Sequence, residues 1–102
     1  MLQKIYYPYK ADDGKHKYYI ITKNNRKIYF GGYGYYDYTL YCKEFGKKYA
    51  DEKKKAYIAR HKPNENWTKS GIDTPAFWSR WLLWEKPTKE EAYEKIKKFI
   101  NI

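Results

Sequence analysis

The apolar residues of this chain are mostly aromatic, and this restricts how its core can be built. The 102 residues include 14 Tyr, four Trp and four Phe, but only nine Ile, four Leu and no Val. A buried ring removes roughly 150–250 Å² from water, so a few rings can replace many aliphatic side chains. Disordered chains are poor in aromatic residues. The composition therefore predicts one folded domain over residues 1–102, with rings supplying much of its core.

Aromatic type and charge divide the chain into two unlike parts. Twelve of the 14 Tyr precede Ala50, and all four Trp follow Asn66. Residues 1–62 carry 15 Lys or Arg against six Asp or Glu, whereas residues 63–102 carry seven against six. A basic, Tyr-rich part is typical of a contact surface. A nearly neutral, Trp-rich part is typical of the packed anchor that holds such a surface.

The first half predicts a small antiparallel sheet. Residues 18–22 and 27–30 are rich in β-branched and aromatic side chains, which favour strands. Asn24 and Asn25 lie between these runs and tolerate positive φ. We therefore expect a tight primed turn and a β-hairpin over residues 17–30.

The residues after and before the hairpin extend this sheet. The glycines of residues 31–34 end the second strand in a loop that needs positive φ. Alternation over residues 35–41 then predicts a third strand. Residues 5–9 are a candidate fourth strand, at an edge that would suit Pro8.

About three helices are predicted after the sheet. The first begins near Asp51 and ends before Pro63. The last begins after Thr88, which has the capping-box spacing with Glu91.

The middle helix is rich in Trp. Asp73 or Thr74 is its N-cap, and Pro75 lies in its first turn. Its apolar residues nearly encircle it, so we expect it at the centre of the core. Three of them fall at i, i+4 and i+7: Phe77, Trp81 and Trp84. The predicted fold class is α+β, a sheet of three or four strands followed by helices with a Trp-rich core helix.

Several kinds of site are excluded by what the sequence lacks. One Cys and two His cannot make a four-ligand zinc site without carboxylates. The further histidines of an HNH nuclease and the paired motifs of a GIY-YIG nuclease do not occur, and residues 31–34 match neither a dinucleotide-binding nor a phosphate-binding loop. No stretch approaches the roughly 18 apolar residues of a membrane span, and the start lacks the pattern of a secretory signal. We expect no enzyme, no metal, no cofactor and no membrane contact.

The charge points to an anionic partner. The net charge is +10 and the pI is about 9.5, which favours encounters with polyanions. Lys and Arg neutralise phosphates while exposed Tyr rings stack on bases. The residues predicted to bind nucleic acid in this way lie around the hairpin and in the first helix: Lys17, Lys23, Arg26, Lys27, Tyr29, Lys53 and Lys54.

The most specific motif lies between residues 57 and 88. Its parts are Tyr57-Ile58-Ala59-Arg60-His61-Lys62, Glu65-Asn66-Trp67-Thr68-Lys69-Ser70-Gly71-Ile72, Phe77-Trp78-Ser79-Arg80-Trp81-Leu82-Leu83-Trp84 and Lys86-Pro87-Thr88. Residues 17–100 resemble a small uncharacterised protein family encoded by large DNA viruses of protists and algae. The likeness rests on these parts and on three earlier ones: Ile28-Tyr29-Phe30-Gly31, Gly34 and Asp37-Tyr38-Thr39. Residues 43–50 look like a local insertion. The resemblance implies a viral origin and supplies no catalytic residues.

Two functions remain open on this basis. The first is a non-catalytic viral protein that binds DNA or RNA with little sequence preference, in genome packaging or nucleic-acid handling. The second is a virion structural or interaction protein that docks a virion protein through its Tyr-rich face, because aromatic residues and Arg also dominate protein interfaces. Either would act inside the infected cell, in the nucleus, cytoplasm or viral factory, or in the virion interior.

Overall fold

The computed structural model describes residues 3–101 and shows the predicted α+β fold. A three-stranded antiparallel sheet in the order β1-β2-β3 precedes four α-helices. The strands are β1 (Tyr9–Lys10), β2 (His16–Ile21) and β3 (Lys27–Gly32). The helices are α1 (Tyr38–Phe45), α2 (Lys47–His61), α3 (Pro75–Trp78) and α4 (Lys89–Ile100). Short 3₁₀ turns, Lys62–Asn64 and Lys69–Gly71, lie between α2 and α3.

The predicted hairpin is confirmed, but its turn is of another kind. Tyr18 pairs with Phe30 across β2 and β3. Within the turn only Asn25 has positive φ, at 62°, whereas a type I′ turn needs positive φ at both central residues. Thr22 closes the loop instead: its N–H donates to the Arg26 carbonyl at 2.9 Å, and its hydroxyl accepts from the Arg26 N–H at 3.2 Å.

The rest of the sheet differs from the prediction. The sheet gains its third strand from β1, which precedes the hairpin and pairs with β2, and not from residues 35–41. Only Tyr9 of the candidate strand 5–9 joins the sheet, and no fourth strand forms within residues 3–101. Alternation over residues 35–41 was misleading, because α1 begins at Tyr38. The cause is Asp37, whose carboxylate accepts from the Leu40 N–H at 3.1 Å and caps the helix. A cap of this type stabilises a helix by about 1 kcal/mol, which favours the helix over the strand that Tyr and Thr would otherwise prefer.

Glycines set the ends of β3 and α1. Gly31 has φ of 76° inside β3, and a Cβ there would lie 2.7 Å from Leu83 Cδ1. β3 nevertheless runs on to Gly32 and ends two residues later than expected. Gly46, with φ of 89°, separates α1 from α2. The start of α2 consequently lies at Lys47, one turn before the predicted start near Asp51.

The core lies between one face of the sheet and the C-terminal helices. Its largest buried side chains are at most 1 % exposed and come from both sides: Ile20, Phe30, Phe77, Trp78, Leu82 and Ile96. Three of these six are aromatic, as the composition predicted. The Trp78 ring packs 6.1 Å from Phe30, and its Nε1–H donates to the Ile72 carbonyl at 2.8 Å.

The Trp-rich helix is confirmed as a core element, with Thr74 as its cap. The Thr74 hydroxyl accepts from the Phe77 N–H at 3.4 Å. The α-helix covers only Pro75–Trp78 and continues as a π-helical stretch, Ser79–Leu83. Since π-helical hydrogen bonds run from i to i+5, the spacing i, i+4, i+7 no longer places side chains on one face. Phe77 is therefore fully buried, whereas Trp81 and Trp84 are half-buried at the edges of the core.

Glu85 joins three helical elements through ion pairs. Its carboxylate lies 3.3 Å from Lys54 in α2 and 2.9 Å from Arg80, and it also pairs with Lys95 in α4. Burial would by itself raise the pKa of Glu85, but the hydrogen bonds from Lys95 and Arg80 and the charge of Lys54 outweigh burial and lower the pKa to about 2. The ionised carboxylate thus links α2, the π-helical stretch and α4.

Replacing Trp78 should destabilise the fold strongly. We expect Trp78→Ala to lower the free energy of unfolding by about 3–5 kcal/mol, because it leaves a cavity in the core. Phe99→Ala is the control, since the Phe99 ring is 46 % exposed, and it should cost only about 1 kcal/mol. Urea denaturation measures both. Equal losses would contradict the central position of Trp78.

Glu85 should make stability depend on acid pH. Its folded-state pKa lies below its ordinary value of 4.5, so its contribution is complete above pH 4.5 and is lost as the pH falls toward 2. We expect Glu85→Gln to be less stable than the native chain by about 3 kcal/mol at neutral pH, with a difference that shrinks in acid. Glu94→Gln, at an exposed pair with Lys97, should show little difference at any pH. A Glu85→Gln deficit that stays constant between neutral pH and about pH 2 would contradict this role.

Candidate nucleic-acid interface

The hairpin residues of the predicted site lie at and beside its turn. Lys23, Arg26 and Lys27 are exposed there, and the Lys27 amine is 3.6 Å from Asp12. Tyr29 is half-buried, and its hydroxyl donates to Asp12 at 2.9 Å. The hairpin therefore presents cations to solvent, but the Tyr29 hydroxyl is hydrogen-bonded within the protein.

Two of the predicted lysines are structural. The Lys17 amine lies 2.6 Å from Asp37, with the two side chains 14 % and 7 % exposed. Lys54 pairs with Glu85 and donates to the Glu85 carbonyl at 3.1 Å. Both amines are committed to carboxylates that are largely removed from solvent, so neither is positioned to contact a phosphate. Charge counting cannot show this, because the partners are distant in sequence.

An exposed aromatic cluster on α1, on α2 and just before α1 was not predicted. We call it the aromatic patch, and it consists of Tyr36, Tyr41, Phe45 and Tyr49. Phe45 is 56 %, Tyr49 45 % and Tyr36 39 % exposed. Their rings touch in a chain: Tyr36–Tyr41 and Phe45–Tyr49 centroids are 5.0 Å apart, and Tyr41–Tyr49 centroids 5.7 Å. Large exposed apolar surface of this kind marks binding sites more often than chance.

Exposed lysines lie on the same two helices. The Lys53 amine is 5.7 Å from the Tyr41 ring centroid and 5.4 Å from that of Tyr49. Lys43 and Lys48 are also exposed, and neither forms an ion pair within residues 3–101. Lys53 is thus the one residue of the predicted site that the fold brings to the aromatic patch.

The hairpin turn and the aromatic patch are separate surfaces. β3 runs from Lys27 to Gly32, about 20 Å for six extended residues, and the aromatic patch starts beyond its far end at Tyr36. The predicted site is therefore split between Lys23, Arg26 and Lys27 at one end and Lys53 at the other.

The sequence did contain a signal for the aromatic patch. Tyr41, Phe45 and Tyr49 are spaced four residues apart, a spacing that places side chains on neighbouring turns of one helix face. In the structure Gly46 divides this segment, so Tyr49 lies in α2. The signal was obscured because residues 35–41 alternate like a strand and residues 43–50 were interpreted as an insertion.

Comparison with protein-family models, curated proteins and solved structures finds no match for this chain. In the part of the chain that the structure describes, no group of three or more His, Cys, Asp or Glu side chains could hold a metal ion. No helix there is both long and apolar enough to cross a membrane. Function is therefore inferred from the aromatic patch and its lysines.

Proposed function

We propose that this protein binds single-stranded nucleic acid, DNA or RNA, on the aromatic patch and catalyses no reaction. The supporting observation is that exposed, mutually packed rings and unpaired lysines occupy the same two helices. Rings of this kind stack on bases whatever their sequence, while lysines neutralise phosphates. The net charge of +10 raises the rate of encounter with such a strand.

The resemblance to a viral family suggests where this activity operates. We propose that the strand is bound inside the infected cell, in the nucleus, cytoplasm or viral factory, or in the virion interior. Genome packaging and nucleic-acid handling are the processes that it would serve there.

A protein partner, such as a virion protein, is the second candidate. It is favoured by Phe45, whose ring is 56 % exposed and has no polar group to satisfy. Lys, however, is depleted in protein interfaces relative to the rest of the surface. The presence of Lys53 over two rings of the aromatic patch therefore favours nucleic acid.

Charge removal near the aromatic patch should change the salt dependence of binding. Each phosphate contact on a single strand adds about 0.7 to the slope of log affinity against log salt. We expect the triple variant Lys43→Gln, Lys48→Gln, Lys53→Gln to reduce this slope by about 2, measured by fluorescence anisotropy with labelled oligothymidylate. The matched control, Lys23→Gln, Arg26→Gln, Lys27→Gln, should reduce it much less.

The control also has an informative opposite outcome. A larger effect from the hairpin variant would place the binding surface at Lys23, Arg26 and Lys27. Equal effects would mean that total charge drives association and that no local surface exists.

Ring removal should weaken binding without unfolding the protein. We expect Phe45→Ala and Tyr49→Ala each to weaken oligothymidylate binding by about 5- to 150-fold, because a lost base–ring stack costs about 1–3 kcal/mol. Tyr33→Ala is the control, since Tyr33 is 70 % exposed and lies outside the aromatic patch. Unchanged affinity in both variants, with unchanged thermal melts, would contradict the nucleic-acid proposal and favour a protein partner.

A further inference from the structure

A cleft of about 500 Å³ opens beside the aromatic patch. Its lining comes from the end of β3, from residues 35–37, from the end of α2 and from residues 75–84, which contain α3 and the π-helical stretch and are called the α3 segment. Tyr36 belongs both to the cleft and to the aromatic patch, so the two surfaces are continuous. A volume of this size is within the range of small-ligand sites, roughly 300–1,000 Å³.

Tyr57 is the feature of this cleft that indicates a ligand. The residue is only 6 % exposed, and its ring is fixed by stacking on Trp84, with centroids 4.5 Å apart and planes 8° from parallel. Its hydroxyl has no hydrogen-bond partner within residues 3–101, although buried hydroxyls are normally paired. Arg80 Nε is the only fully enclosed polar side-chain atom without a partner in those residues. The Tyr57 hydroxyl therefore keeps access to the cleft that its side chain lines.

Two further polar groups line the same cleft. His61 is bonded through Nδ1 to Glu65 at 2.7 Å, which leaves its Nε2 unpaired in the described structure. The Ser79 hydroxyl likewise has no partner there. Together with the Tyr57 hydroxyl they provide two hydroxyls, each able to donate or accept a hydrogen bond, and one ring nitrogen that accepts when the imidazole is neutral, because Nδ1–H donates to Glu65.

The charged groups that line the cleft are paired with each other and give no net attraction for an anion. Lys17 is offset by Asp37 at 2.6 Å, and Glu65 lies beside His61, so no unpaired cation faces a ligand. The remaining lining is largely aromatic or apolar: Tyr35, Tyr36, Pro75, Ala76, Leu83 and Trp84. Such a site suits a flat, uncharged ring whose edge carries both donors and acceptors.

We propose that this cleft takes one unstacked nucleobase, with Tyr57 and His61 hydrogen-bonding its edge. This rests on the proposed function for the source of the base, which would be splayed from a strand stacked on the aromatic patch. A free nucleoside presents the same chemistry. The experiment below separates the two sources.

The test compares Tyr57→Phe with the native chain on two probes. The substitution keeps the ring that stacks on Trp84 and removes only the unpaired hydroxyl, so the thermal melt should not change. The probes are adenosine or thymidine, followed by NMR shifts of the cleft residues, and an oligothymidylate of about twelve nucleotides. We expect Tyr57→Phe to weaken nucleoside and oligonucleotide binding about five- to tenfold, the effect of one hydrogen bond. Tyr93→Phe, which removes a half-buried hydroxyl outside the cleft, should change neither.

Each result bears on a different part of the proposal. Weakening with both probes supports a base site filled by the strand. Weakening with nucleosides alone supports a base site filled by free nucleosides, and if the oligonucleotide does not bind at all the proposed function fails while the base site stands. Oligonucleotide binding that Tyr57→Phe leaves unchanged, with no nucleoside-induced shift at Tyr57, His61 or Trp84, overturns the base site and leaves the proposed function intact.

Discussion

The stack of Tyr57 on Trp84 connects the two unlike parts of the molecule. Trp84 follows the π-helical stretch that packs in the core, and Tyr57 belongs to α2. The Trp84 ring also lies 6.1 Å from Tyr41 in the aromatic patch. The ion pair of Lys54 with Glu85 adds a second link between α2 and the core. Because α1 and α2 carry the aromatic patch and one wall of the cleft, both surfaces depend on how these two helices are held.

A core built from rings brings hydroxyls into the interior, and each must find a partner. Four tyrosines are buried within residues 3–101: Tyr6, Tyr19, Tyr38 and Tyr57. The hydroxyls of Tyr6 and Tyr38 donate to Asp73 and Asp51 at 2.7 Å and 2.6 Å, and that of Tyr19 accepts from Gln3 at 2.8 Å. Tyr57 alone departs from this rule. Its hydroxyl opens onto the cleft and has no protein partner in the described part of the chain, so a ligand bound there can pair with it.

The formal charge of +10 overstates the positive charge that a polyanion can contact at the surface. Lys17 and Lys54 are held in ion pairs, and Arg80 is 8 % exposed. These cations stabilise the fold by neutralising Asp37 and Glu85, whose burial without a partner would be costly. Many cations are left to solvent, and two groups of them lie at the hairpin turn and on α1 and α2. Of these two groups, only the second is combined with exposed, mutually packed rings.

The sequence by itself determined the elements that depend on neighbours in the chain. The hairpin, the Thr88 cap, the α+β class and the aromatic core follow from propensity, cap chemistry and composition, which act over a few residues. The tertiary structure decided the rest. Residues 38–41 became helix because Asp37 caps them while paired with Lys17, twenty residues earlier in the chain. The Trp helix widened into a π-helix, and two predicted binding lysines became structural. The cleft also required the fold, because its lining residues lie between Lys17 and Trp84 in sequence and meet only when the sheet, α2 and the α3 segment are packed.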